Sequence, residues 1–225
     1  MNRRDYLRTA TAVGLAGSVA GCTGFLGSDG NPNVTLPRPD RENDVDSETL
    51  PYPAWGQRVP DVSLPAPLDD RTVELRSVGK PMVLTFFYSH CQTVCPVLVS
   101  AVRNVHTHSL NQGYADEVAF FPTTFDPERD DAERLRTYAE EMNVDVDAGN
   151  WQFLRPESKD RAKAVVQDEF GVAFERTHPD EMEKYMFTHS ALTFLVNAEG
   201  YVERAYRSKS PDAKQIRSDL ETVRS

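Results

Sequence analysis

The stretch Phe86–Val102, FFYSHCQTVCPVLVSAV, decides the fold and raises the functional question. It begins inside a continuous apolar run, Met82 to Tyr88, whose length predicts a central buried strand. From Val94 to Leu110 a helix is expected, with Val94, Val97, Leu98, Ala101, Val102 and Val105 on one side. Between strand and helix stand Cys91 and Cys95, in a chain with only one other cysteine. A cysteine at the mouth of a helix meets unpaired backbone N–H groups and the positive end of the helix dipole, and both favour a thiolate. Pro96 fits there, since the first turn has no N–H bond to lose. Four residues of helix put the two cysteines on one face, with Cα atoms roughly 6 Å apart. That separation suits a disulfide and equally lets two sulfurs converge on one metal ion. A static staple is a third reading, but it would close almost no loop and gain little stability.

The remaining cysteine belongs to a different segment. The chain opens MNRRDYLRTATAVGLAGSVAGC, with a twin-arginine pair, Arg3 and Arg4, and a short apolar run, Ala10 to Ala20. That run is about half the ~20 residues a spanning helix needs. Charged start, short apolar middle and small-residue end read as an export signal over residues 1–21. VAGC resembles a lipobox, so Cys22 is expected to carry lipid and to hold the exported protein at the outer face of the cytoplasmic membrane. Residues 22–54 are rich in Gly, Pro, Asp and Asn without apolar periodicity, and are read as a flexible tether. A coil of ~32 residues spans roughly 30 Å.

Charge narrows the partners. The 225 residues carry a formal charge of −10, and the signal contributes Arg3, Arg4 and Arg8 against Asp5, leaving −12 on the mature chain. Phosphates would be repelled, so nucleic acid is excluded as a partner. Only 6 of the 25 basic residues are lysines, and an acidic, lysine-poor composition with a twin-arginine signal is compatible with a salt-loving source.

Residues 55–225 are read as one domain. VPDVSL and RTVEL are short alternating strands, and EVAFFPTTF is a second buried strand. DPERDDAERLRTYAEEMN is a helix with acidic residues in its first turn and Leu135, Tyr138 and Met142 recurring on one side. NWQFL is a short strand, and Lys159 to Phe170 a helix ending at Gly171. ALTFLVNAEGYVERAYR is a hairpin turning at Asn197–Gly200, and Pro211 to Val223 the last helix. The order predicts an α/β sandwich with a mixed sheet flanked by helices.

From about Val59 onward the chain resembles the Sco/SenC family of thioredoxin-like copper proteins. CQTVCP is similar to the family's C-x-x-x-C-P motif, FDPERDDAERLRTYA to its second signature, and FTHSALTFLVNAEG to a third that contributes a histidine. Gln92-Thr93 stands where the family commonly has Pro-Asp, and Thr188 where it often has Asp. The resemblance implies a thioredoxin-like fold that brings His189 opposite the cysteines, and copper held by Cys91, Cys95 and His189. Two thiolates and one imidazole suit Cu(I). It also implies a redox-active Cys91–Cys95 pair and a role in assembling the dinuclear copper centre of a cytochrome c oxidase-type terminal oxidase. The partners implied are a copper-receiving oxidase subunit and a thiol redox partner. Alternatives are a thiol–disulfide oxidoreductase that reduces target cysteines and a peroxiredoxin-like peroxidase. His90 is expected at the rim of the site, His106 and His108 on a solvated helix face, and His178, Met182 and Met186 in a polar loop. The acidic run Asp126, Glu128, Asp130, Asp131 is read either as a helix N-terminus or as a surface that steers a basic partner.

Overall fold

The computed structural model describes residues 31–40, 46–178 and 184–225. Ser63–Ala66 (β1) and Arg71–Glu74 (β2) form an antiparallel hairpin. The chain then enters Met82–Phe87 (β3), buried at every position. Helix Val94–Gln112 (α1) carries it over to Ala119–Thr124 (β4), which pairs parallel to β3 with Met82 opposite Ala119. Gly113 ends α1 in the left-handed region, at φ 74°, where glycine pays no Cβ penalty. Residues 150–154 continue the sheet beyond β4 only through two isolated parallel bridges, Phe120 to Trp151 and Thr123 to Leu154. The NWQFL strand is thus an interrupted edge.

Ala132–Glu141 (α2) is capped by Asp131, whose carboxyl accepts from Arg134 N. Lys159–Ala162 (α3) starts as α-helix and widens into a π-helix over Lys163–Glu169. Phe174–Thr177 (β5) and Met186–His189 (β6) then pair with each other, apart from the main sheet. Thr193–Val196 (β7) runs antiparallel to β3, and Val202–Tyr206 (β8) antiparallel to β7. Ala213–Arg224 (α4) closes the chain against α1. The main sheet has the order β4-β3-β7-β8, one parallel and two antiparallel pairings, as a thioredoxin-like mixed sheet requires.

Alternation along β3 splits the core between the two faces of the sheet. Phe87 stacks on Tyr138 of α2 and touches Phe153, while Phe86 packs on Phe170 and Phe194. The expected apolar stripe of α1 holds for Leu98, Ala101, Val102 and Val105, which are buried; Val97 instead faces solvent at 42 % exposure.

The tether is shorter than its composition suggested. Val34, Leu36, Tyr52 and Ala54 are buried on the domain, and the cause is a polar anchor no periodicity reveals. The fully buried Glu203 accepts from Thr35 N and Leu36 N at 2.8–3.1 Å and from Asn197 Nδ2 at 2.9 Å. Trp55 Nε1 donates to the Leu36 carbonyl, and Arg204 to that of Pro37. The signal read over 1–21 and the lipid site at Cys22 lie outside the described residues. No helix among the described residues is long and apolar enough to cross a membrane.

Candidate metal centre

The strand that ends at Phe87 delivers a turn, and Cys91 N donates to the Tyr88 carbonyl at 3.2 Å to close it. Cys91 precedes helix α1 rather than lying in it, since α1 begins at Val94. Thr93 holds the N-cap position but makes no side-chain capping bond. The Cys91 sulfur does so instead, accepting from Cys95 N at 3.4 Å, with Thr93 Oγ1 at 3.6 Å from the same sulfur. One of the orphan N–H groups of the helix is thereby spent on a cysteine sulfur.

Both cysteines are unbridged and buried. Their protonation is split. A thiol hydrogen bond from Cys95 draws Cys91 well below the ordinary thiol value, and backbone N–H groups of Cys95 and Thr93 add to that against the cost of burial. Burial pushes Cys95 up, and the neighbouring Cys91 charge pushes it further. The proton of the pair therefore sits on Cys95, and Cys91 is the thiolate.

His189 ends β6, and its Nε2 lies 3.2 Å from Cys95 Sγ. Nδ1 is 3.0 Å from the Ser190 carbonyl, which can only accept, so Nδ1 donates there and Nε2 is the nitrogen turned to the sulfurs. Phe125 and Tyr88 wall the imidazole, with ring centroids at 5.1 and 6.3 Å. The donor atoms of Cys91, Cys95 and His189 all lie within 4.8 Å of one another, the only such grouping among the described residues. Two sulfurs and one imidazole nitrogen are a soft set, suited to Cu(I) and one donor short of a closed zinc site.

The other candidates fall elsewhere. His90 is half-buried at the rim, its Nδ1 3.1 Å from Ser89 Oγ and 3.7 Å from Asp130. His106 is not on a solvated face: it is buried against Phe120 and Trp151, with Nε2 2.9 Å from Asn150 Oδ1. His108 Nδ1 contacts the Tyr114 hydroxyl at 2.6 Å. Met186 pairs with Thr177 across the β5–β6 hairpin, and the His178 ring lies 6.1 Å from that of Tyr185. Met182 lies outside the described residues.

The acidic run divides: Asp131 caps α2, as the helix N-terminus reading expects, while two of its other carboxyls turn inward. Asp126 and Asp130 are buried, so neither can steer a partner. Asp130 accepts from Ser89 N at 3.0 Å, from Ser89 Oγ at 2.5 Å and from the Thr124 hydroxyl, pinning the turn that precedes Cys91. Arg134 holds the same turn from outside, donating to Ser89 Oγ and to the Ser89 carbonyl. Sequence reasoning missed this support because a DPERDD run carries no sign of which carboxyl groups point inward.

A family model described as SCO1/SenC matches residues 69–225. A SCO2-like protein of Rickettsia conorii is 27 % identical over 135 residues, covering 59 % of this chain and 62 % of its own length. The chain thus spans under two thirds of the length of that curated relative. Among solved structures, Arabidopsis thaliana ScoI with copper bound aligns with a TM-score of 0.57 at 21 % identity, over 78 % of this chain and 99 % of that one. BsSco, described as a member of the Sco family of cytochrome c oxidase assembly proteins with a disulfide switch, aligns at 0.58 and 19 % identity, over 77 % and 95 %. At these identities the likeness is one of fold.

Proposed function

The chain belongs to the SCO1/SenC family, and from that premise we propose that it binds copper through Cys91, Cys95 and His189 and serves in assembling the copper centre of a cytochrome c oxidase-type terminal oxidase. The observation that carries the reading is the convergence of these three soft donors within 4.8 Å, from segments 94 residues apart. The copper-bound Arabidopsis neighbour supports the choice of metal. Copper here is cargo. The two thiols and the imidazole hold it, and three protein donors leave one side open to a receiving protein.

The cysteine pair is also a switch. Exchange with a disulfide of the thiol redox partner, which takes the pair's two electrons and the one proton of Cys95 and leaves as two reduced sulfurs, joins Cys91 to Cys95 in a disulfide that no longer offers two thiolates to a metal. Metal binding needs deprotonated sulfur and neutral imidazole, and the Cys91 thiolate already stands close to that state. A second reading, reduction of the target's cysteines by this pair, is supported by two adjacent cysteines held unbridged. The protein is proposed to be exported through the twin-arginine signal and anchored by lipid on Cys22. One acyl chain anchors only marginally, so tight attachment needs a second.

Cells lacking the protein test the role under copper limitation. The expected result is reduced terminal oxidase activity, restored by added copper if delivery dominates and by a small-molecule thiol reductant if target reduction does. Normal oxidase activity and copper content in the deletion overturn the assembly role.

A further inference from the structure

His189 rides on a hairpin that makes no ladder with the main sheet. The β5–β6 strands are only half-buried, so something beyond strand pairing must hold the imidazole over the cysteines. Ring contacts of Phe174 and Phe187 with Phe125 and Tyr88 supply an apolar hold, and Tyr185, immediately before β6, supplies a polar one. Its ring lies between two guanidiniums, Arg129 at 3.6 Å and Arg176 at 3.8 Å from the ring centroid. Its hydroxyl donates to Asp126 Oδ1 at 2.8 Å, and its carbonyl accepts from Arg129 Nη1 at 2.9 Å. Asp126 Oδ2 accepts from Arg129 Nε at 2.5 Å, so Asp126, Arg129 and Tyr185 form a closed ring of contacts. Asp126 is itself 1 % exposed and is braced by Thr124 Oγ1 at the end of β4.

The clasp therefore ties the hairpin to the rigid end of the central sheet. Cation–π contacts and hydrogen bonds to charged groups strengthen out of water, and the buried carboxyl keeps this one dry. Between the clasp and the sulfurs lies Tyr88, whose hydroxyl accepts from Phe187 N at 3.3 Å and whose carbonyl accepts from Cys91 N. Four positions after Tyr185 and three after Tyr88 stand the donors His189 and Cys91 themselves.

We propose that the Asp126–Arg129–Tyr185 clasp is a positioning device that docks His189 over the cysteine pair, so that clasp strength sets the fraction of molecules offering three donors rather than two. The inference rests on the reading of Cys91, Cys95 and His189 as the copper ligands. A protein whose binding-competent state is partly populated shows an apparent affinity lowered by that fraction.

Tyr185→Phe tests it, since the ring stays between the guanidiniums and only the bond to Asp126 is lost. Cu(I) affinity of the reduced full chain, measured by competition with a chelator, is expected to fall about tenfold. In a His189→Ala background the same substitution is expected to change nothing, because the clasp acts through His189. In copper-free protein, amide exchange at Phe187 and Ser190 is expected to speed up while the global unfolding midpoint stays in place. An equal loss with and without His189 overturns the proposal, as does unchanged exchange with unchanged affinity. If the wild-type chain binds no Cu(I), the copper reading fails, and hairpin exchange alone decides the clasp.

Discussion

The sulfur of Cys95 and Nε2 of His189 stand 3.2 Å apart, although 94 residues of chain separate them. Helix α1 fixes one partner and hairpin β5–β6 the other, so the contact closes the site across two independent elements. The proton of the cysteine pair is placed by burial and by the neighbouring Cys91 charge, which keep it on Cys95 while Cys91 gives one up.

That asymmetry predicts the order of reaction with an alkylating agent. In the reduced, metal-free protein Cys91 reacts first and Cys95 lags. Because the Cys91 value is lowered, the thiolate persists as the solution is acidified. Its rate should stay level from pH 8 to 6, where an ordinary thiol near 8.5 would slow roughly a hundredfold. Mass spectrometry of the modified chain reads both, and equal rates at the two cysteines would contradict the assignment.

Asp130 predicts a stability effect rather than a binding one. Its carboxyl satisfies the Ser89 amide and hydroxyl and the Thr124 hydroxyl in a fully buried site. Asp130→Ala strands those donors, and a cost of about 3 kcal/mol follows from leaving several buried groups unpaired. Urea unfolding measures it. A change under about 0.5 kcal/mol, the size of an ordinary surface substitution, would mean the turn is held by other contacts.

Glu203 predicts the fate of the segment before the domain. The carboxyl accepts from Thr35 N and Leu36 N, where a glutamine would turn an NH2 group toward donors. Glu203→Gln should cost about 2 kcal/mol and expose residues 31–40 to limited proteolysis while the rest resists. Unchanged cleavage would show that Trp55 and Arg204 hold the segment without it.

His106 predicts a pH dependence. Burial holds its pKa below the ordinary value, opposed by the bond to Asn150. The unfolded chain takes up a proton near pH 6.5 while the folded chain does so only at lower pH, so stability falls as pH drops below about 6.5 and until the folded group titrates in turn. His106→Gln lacks this proton uptake. Its stability should fall less steeply on the acid side, by up to about 1.4 kcal/mol per pH unit. Parallel curves for the two proteins would assign the acid loss to other groups.

Much of this molecule is legible in the sequence where the signal is local. The apolar run of β3, the helix after it and the cysteine spacing all sit within one window, and the strand–helix–strand order follows from them. The partner of Cys95 is not local. FERT and MFTH are four-residue strands with polar residues among their apolar ones, separated by a polar stretch, so they read as loop; only the resemblance pointed to His189. Buried charge is equally silent. Asp126, Asp130 and Glu203 look like surface residues because composition shows a carboxyl group but not the N–H and O–H groups that will surround it. His106 was misplaced for the same reason, since its partner Asn150 lies on an edge segment 44 residues away.

The most direct test of the account is Cu(I) titration of the reduced full chain, its oxidised form, and the variants Cys91→Ser, Cys95→Ser and His189→Ala. Three donors within 4.8 Å predict one tightly bound copper per reduced chain. The disulfide form is predicted to bind none at that site, and each substitution to weaken binding sharply by leaving two donors. Unchanged stoichiometry and affinity in His189→Ala, or equal binding by the disulfide form, would contradict the claim that these three residues form the copper site.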